Sequence, residues 1–234
     1  MDVNLVREGH AGQGPGPITP DGCAVELYAR LSPGSEPDVI GSAVPAGASL
    51  LELGCGAGRV THPLVERGFE VTAVDESREM LDRVRGARTV RSPIESLDLG
   101  EERFDAVVLG SFLVHTADHG VREGLLGTCR RYVKDDGVVL IQREGADYHA
   151  DLPRERRDEA AGCTIRIVSA HPVGDGVDEV RAEYDFEDAR WTQTFRSRPL
   201  SPERFEAYVT EAGLALDRYL TDDGIWALVR PRHA

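Results

Sequence analysis

Basic residues are in short supply. The chain of 234 residues carries 27 lysines and arginines against 41 aspartates and glutamates, a formal charge of −14. A field of that sign repels polyanions, so nucleic acid is not an expected partner; the same acidity also serves plain solubility. Arg154, Arg156 and Arg157 alternate with acids and read as a solvated face, with no interleaved aromatics of the kind that bind RNA. No apolar run is long enough to span a bilayer, and no membrane role is expected. The N-terminus lacks a basic-then-apolar signal pattern. Cysteine is scarce: four residues at 23, 55, 129 and 163, without metal-ligand spacing. They read as reduced thiols of a cytoplasmic protein. A G-x-x-x-x-G-K-[ST] phosphate loop is also missing.

What is present is a glycine bend. Leu50-Leu51-Glu52-Leu53 runs into Gly54-Cys55-Gly56-Ala57-Gly58-Arg59, and Val71-Thr72-Ala73-Val74 ends in Asp75. An apolar run, a tight turn, a helical pattern and a second apolar run ending in an acid describe a β-α-β unit that holds an adenosine-containing molecule. Glycines at alternate positions accept positive φ and let a ligand approach the backbone. The helix that follows aims its first amides at the loop. A carboxylate after the second strand can accept both hydroxyls of a ribose. Dinucleotide proteins use G-x-G-x-x-G/A. Here the third glycine of that register is Arg59, and the spacing is G-x-G-x-G preceded by Glu52.

The rest of the chain alternates in the same sense. Strands are expected at 48–53, 70–74, 88–91, 104–109 and 137–143, with helices at 59–67, 77–85 and 119–133. That order means a parallel sheet with helices on both faces. Asp135-Asp136-Gly137 reads as the turn into the fifth strand. Residues 1–18, rich in glycine and proline, are expected to be loose. Asp21 is expected to cap a helix to about Leu31, and a short helix follows at 36–44. After a charged stretch at 151–162 the pattern changes. Three alternating runs, at 163–169, 177–186 and 190–198, read as an antiparallel meander. Ser201-Pro202-Glu203 starts a helix to about Ala212 that Gly213 closes. Two last strands fall near 214–220 and 224–230.

With these residues in view, 48–144 resembles the core of a class I methyltransferase dependent on S-adenosyl-L-methionine (SAM). The resemblance implies a Rossmann-like α/β fold: a seven-stranded sheet with helices on both faces, here with an inserted β meander. It implies SAM as cofactor. Gly54, Cys55, Gly56 and Gly58 would line its amino-acid end, with Cys55 as a small spacer. Asp75, next to Glu76 and Met80, would take the ribose, and Glu52 would orient the loop or reach the cofactor amine through water. Many relatives carry an Asp near position 93 for the adenine amine. This chain has Pro93, so Ile94 would pack on the adenine and the amine contact would pass to Glu95. Gly110 and Ser111, ending the fourth strand, would face the transferable methyl. Tyr28 resembles an aromatic that relatives place over the methionine carboxylate; core packing is the other reading.

The layout divides into a flexible arm and helical cap (1–47), the SAM-binding core (48–150), an inserted β lid (151–200), and a C-terminal helix with the last two core strands (201–234). In layout it resembles the deoxyamino-sugar N-methyltransferases and glycine N-methyltransferase-like enzymes. Such an insertion is expected to close over the strand ends and exclude water. His115, Tyr148 and His149 are the catalytic candidates. His115 either serves as base or packs near the helix that starts by Asp118. His62 is expected to support the loop from behind, and His171 to lie in a surface turn. Arg143 and Glu144 are either a pocket ion pair or solvated strand termini. The segment Gly110-Ser111-Phe112-Leu113 lacks the Asn-Pro-Pro-[Tyr/Phe] of DNA and glutamine methyltransferases, and no acid triplet matches a catechol-type magnesium site. No metal is expected. The reading is methyl transfer to O or N of a small polar metabolite in a biosynthetic role. The alternatives are a protein or RNA methyltransferase and a non-catalytic SAM-binding protein. The meander edges leave a homodimer open.

Overall fold

The computed structural model describes residues 7–232. The expectation of a loose segment over residues 1–6 lies outside them. The described chain forms two compact units, one from Pro33–Gly145 and 200–232, the other from 7–32 and 146–199.

The first unit holds a seven-stranded sheet. Its parallel part is β2 (Ser49–Leu53), β3 (Glu70–Asp75), β4 (Arg88–Arg91), β5 (Phe104–Leu109) and β6 (Val133–Gln142). Antiparallel β12 (Trp226–Pro231) and β11 (Leu214–Tyr219) extend it, in the order β11-β12-β6-β5-β2-β3-β4. The central strands are apolar because both sheet faces are covered. Alternate residues feed two cores: Leu51, Leu53, Val107, Leu109, Val139 and Ile141 face one. Leu50, Ala73, Ala106, Val108 and Leu140 face the other. Helices α5 (His119–Tyr132) and α6 (Pro202–Glu211) close the first core through Leu125, Leu126, Phe205 and Val209. Helices α2 (Glu36–Ala43) and α3 (Thr61–Glu66) close the second through Ile40 and Leu64. Asp118 caps α5 by accepting from the Val121 N–H at 2.9 Å. Ser201 caps α6 through the Arg204 N–H, with Pro202 in the first turn. The chain runs outward from β2 through β3 to β4, then returns to β5 on the other side of β2. The C-terminal ends of β2 and β5 therefore flank the switch point, where open α/β sheets bind ligands.

The second unit holds a five-stranded antiparallel sheet in the order β1-β10-β9-β8-β7. Its strands are β1 (Ala11–Gln13), β7 (Arg154–Asp158), β8 (Cys163–Gly174), β9 (Val177–Asp185) and β10 (Arg190–Ser197). A small core of Ala24, Leu27 and Trp191 packs on it. Among the described residues, no helix is long and apolar enough to cross a membrane.

Several expectations are corrected. Residues 11–13 are not loose but pair with β10 as an edge strand. The helix expected from Asp21 to Leu31 is only α1 (Val25–Tyr28), entered from Ala24. Asp21 does not cap it; its carboxylate accepts from the Thr19 hydroxyl in a turn that Gly22 makes at φ +80°. Helix α4 (Arg78–Leu81) stops short of residue 85, because Arg83 and Val84 donate three residues back and Gly86 turns at φ +74°. Asp135-Asp136-Gly137 lies within β6, where the register against β5 shifts between Phe104 and Ala106. The charged stretch contains β7, an edge strand whose Glu155 pairs with Arg166 of β8 at 2.9 Å.

Candidate active site

The glycine bend closes on β3. The amides of Gly54 and Cys55 both donate to the Val74 carbonyl at 2.9 Å. Gly54, Gly56 and Gly58 take φ of +73°, +55° and +87°. Two of these positions are packed. A Cβ on Gly54 would lie 2.8 Å from Cδ1 of Leu113, and one on Gly58 would lie 2.6 Å from Nε2 of His62. At Gly56 the nearest group is Sδ of Met80 at 4.0 Å, so the loop is open there. This is the room a ligand needs to touch backbone.

Asp75 ends β3 with its carboxylate plane fixed by two amides. Oδ2 accepts from Gly56 N–H and Oδ1 from Ser77 N–H, each at 2.9 Å. Cys55 is buried and packs in the apolar core, in keeping with a spacer. Glu52 is buried behind the loop and accepts from the Thr61 hydroxyl at 2.6 Å. Burial pushes its carboxyl up to about 7, against the hydrogen bond from Thr61 and the charge of Arg59. His62, behind the bend, accepts from the Arg85 N–H at 3.0 Å. Met80 is buried, and its N–H donates to the Ser77 hydroxyl. The Glu76 carbonyl accepts from Arg91. Ile94 is buried at the turn after β4, while Glu95 beside it is exposed.

After β5 the backbone makes a sharp bend. Ser111 and Phe112 both take left-handed φ, +52° and +59°, at a cost of about 1–2 kcal/mol each. Buried polar side chains hold this bend. The Ser111 N–H donates to Oε1 of Gln142 at 2.8 Å. His115 donates from Nδ1 to the Glu144 carboxylate at 3.1 Å and accepts at Nε2 from the Glu144 N–H at 3.0 Å. Arg122 donates to the carbonyls of Val114, at 2.9 Å, and Thr116. Both ring nitrogens of His115 are therefore engaged by one residue, and the turn that carries it packs against α5, the helix that starts after Asp118. Arg143 and Glu144 are both buried and turn to different partners. Arg143 reaches the Leu200 carbonyl at 3.1 Å and the Tyr219 hydroxyl at 3.2 Å, and stacks on Phe205.

The remaining candidates belong to the second unit. Tyr28 donates to Oε1 of Gln193 at 3.2 Å and packs on that unit's small core. His149 and Tyr148 sit edge to face at 5.4 Å between ring centroids. Nδ1 of His149 lies 2.8 Å from the Asp178 carboxylate. His171 is exposed on β8. Sequence reasoning missed Gln142, Arg122, Thr61 and Asp178. Only Gln142 left a signal, as a polar residue ending the apolar run Val138–Ile141.

Comparison with known proteins agrees with this geometry. A family model described as "Methyltransferase domain" matches residues 51–141. An uncharacterized methyltransferase of Mycobacterium tuberculosis is 42% identical over 93 residues, and that match spans 38% of this chain and 38% of the relative's own length. The putative methyltransferase YqeM of Bacillus subtilis is 38% identical over 204 residues, covering 78% of this chain and 80% of YqeM. Among solved structures, the sugar N-methyltransferase KedS8 of Streptoalloteichus superposes with a TM-score of 0.65 at 21% identity, over 90% of this chain and 94% of that one. A glycine bend opening beside Met80, an acid at the end of β3 held by the Gly56 amide and a long match to YqeM converge: the chain belongs to the class I SAM-dependent methyltransferases.

Proposed function

We propose that this protein transfers a methyl group from SAM to an oxygen or nitrogen of a small polar metabolite. The observation that carries the reading is the open face at Gly56 beside an Asp75 carboxylate whose plane two amides fix. When bound, SAM supplies the methyl on a positively charged sulfur, so the protein's task is alignment and electrostatics. Gly54, Gly56 and Gly58 present backbone to the amino-acid end. Asp75 holds the ribose, and Ile94 gives the adenine an apolar face. A small acceptor fits the charge of −14, which disfavours RNA. The fold likeness to a sugar N-methyltransferase points the same way.

The test pairs calorimetry with turnover. SAM and S-adenosylhomocysteine should bind, and methyl-labelled SAM should label members of a panel of amino sugars, small amines and hydroxy compounds. Binding with no label transferred to any of them would favour a SAM-binding protein without catalysis. Label appearing only in added protein or RNA would favour a macromolecular substrate.

A further inference from the structure

The bend after β5 is over-determined. In seven residues it carries two left-handed non-glycine residues, and four buried polar side chains fix it: Gln142, Glu144, His115 and Arg122. Gln142 ends β6 and Glu144 follows two residues later, at the same parity along an extended chain. Both are polar groups beyond an apolar run, and each side chain is spent on the neighbouring bend: one on the Ser111 amide, the other on Nδ1 of His115, whose Nε2 accepts from the Glu144 backbone N–H. Arg122 comes from α5 and holds the carbonyls on either side of His115. Burying so many polar groups is costly unless each is satisfied, and strain of this kind gathers at functional sites.

The bend has one further neighbour. Leu113, between the fixed points Ser111 and His115, packs against Gly54, so closely that even a methyl there would meet its Cδ1. We infer that Gln142, Glu144 and Arg122 are positioning residues that hold the Gly110–Thr116 bend and, through Leu113, set the glycine loop after β2 in its cofactor-binding shape. The inference rests on the reading of that loop as the SAM site. None of the three is assigned a contact with the cofactor; they act through the bend.

Gln142→Met keeps the length of the side chain and removes its acceptor, whereas Gln142→Glu keeps an acceptor for the Ser111 amide. Two readouts apply to the full chain. In the cofactor-free protein, Gln142→Met should speed hydrogen exchange at Ser111 and also at Gly54 and Cys55, on the order of tenfold, the low end for an unsatisfied buried amide. Calorimetry should show S-adenosylhomocysteine binding weakened by about the same factor, with Gln142→Glu recovering most of it. Far-UV circular dichroism checks that the variants fold, and a variant that unfolds is replaced by Arg122→Lys, which shortens the reach to the same bend. Faster exchange at Ser111 with unchanged protection at Gly54 and Cys55 would overturn the inference, whether or not cofactor binds. Coupled exchange in a protein that binds no S-adenosylhomocysteine would uphold the coupling and sink the functional reading instead.

Discussion

At the scale of single residues, the carboxylates carry the sharpest expectations. Asp75 anchors the loop through Gly56 and is assigned the ribose. Asp75→Ala should weaken SAM binding by roughly 1–3 kcal/mol, the cost of leaving buried donors unmatched; unchanged affinity by calorimetry would remove the ribose assignment. Glu52 makes stability depend on pH. Its folded-state value, about 7, lies above the ordinary 4.5, so the native protein keeps a proton that the unfolded chain has already released. Its contribution is complete below about pH 4.5 and is lost as the pH climbs to about 7. Denaturant titrations should show at most about 3 kcal/mol lost across that window, and Glu52→Gln should flatten the slope relative to the parent. The bend formed by the glycines, with Glu52 behind it and Asp75 tied to Gly56, was legible because alternate glycines between two apolar runs specify a tight turn. The hold on His115 was not, because it depends on which residue of β6 lies beside the bend, and pairing between strands is not written in local sequence.

At the scale of elements, caps and apolar runs did most of the specifying. Ser201, Pro202 and Gly213 bracket α6 within a residue of expectation. Ser201→Ala should lower stability by about 1 kcal/mol, read as a fall in melting temperature with no change in SAM affinity. β2, β3 and β5 matched their expected ranges within a residue because each is an apolar run ended by glycine or an acid. β7 was invisible for the opposite reason. Arg154–Asp158 has no apolar alternation, and as an edge strand it is held by backbone pairing and by ion pairs such as Glu155 with Arg166. β1 is three residues long, too short for a period, and exists because β10 offers it an edge. Asp21 misled because the same residue type that caps helices also closes the turn with Thr19.

At the scale of the whole molecule, the apolar clusters decide what folds with what. Both clusters that sandwich the seven-stranded sheet come entirely from Pro33–Gly145 and the residues after 199. The small cluster around Trp191 comes entirely from the other unit. The seven-stranded unit, with residues 1–32 removed and 146–199 replaced by a short glycine linker, should therefore unfold in one cooperative transition and keep S-adenosylhomocysteine binding. A molten product without near-ultraviolet dichroism would show that the two units depend on each other. Arg143 makes that excision feasible, since its guanidinium ties the strand leaving at Gly145 to the Leu200 carbonyl where the chain returns. Because both ends of that tie lie in the seven-stranded unit, a change of length between 146 and 199 leaves the points of departure and re-entry clamped by the same guanidinium.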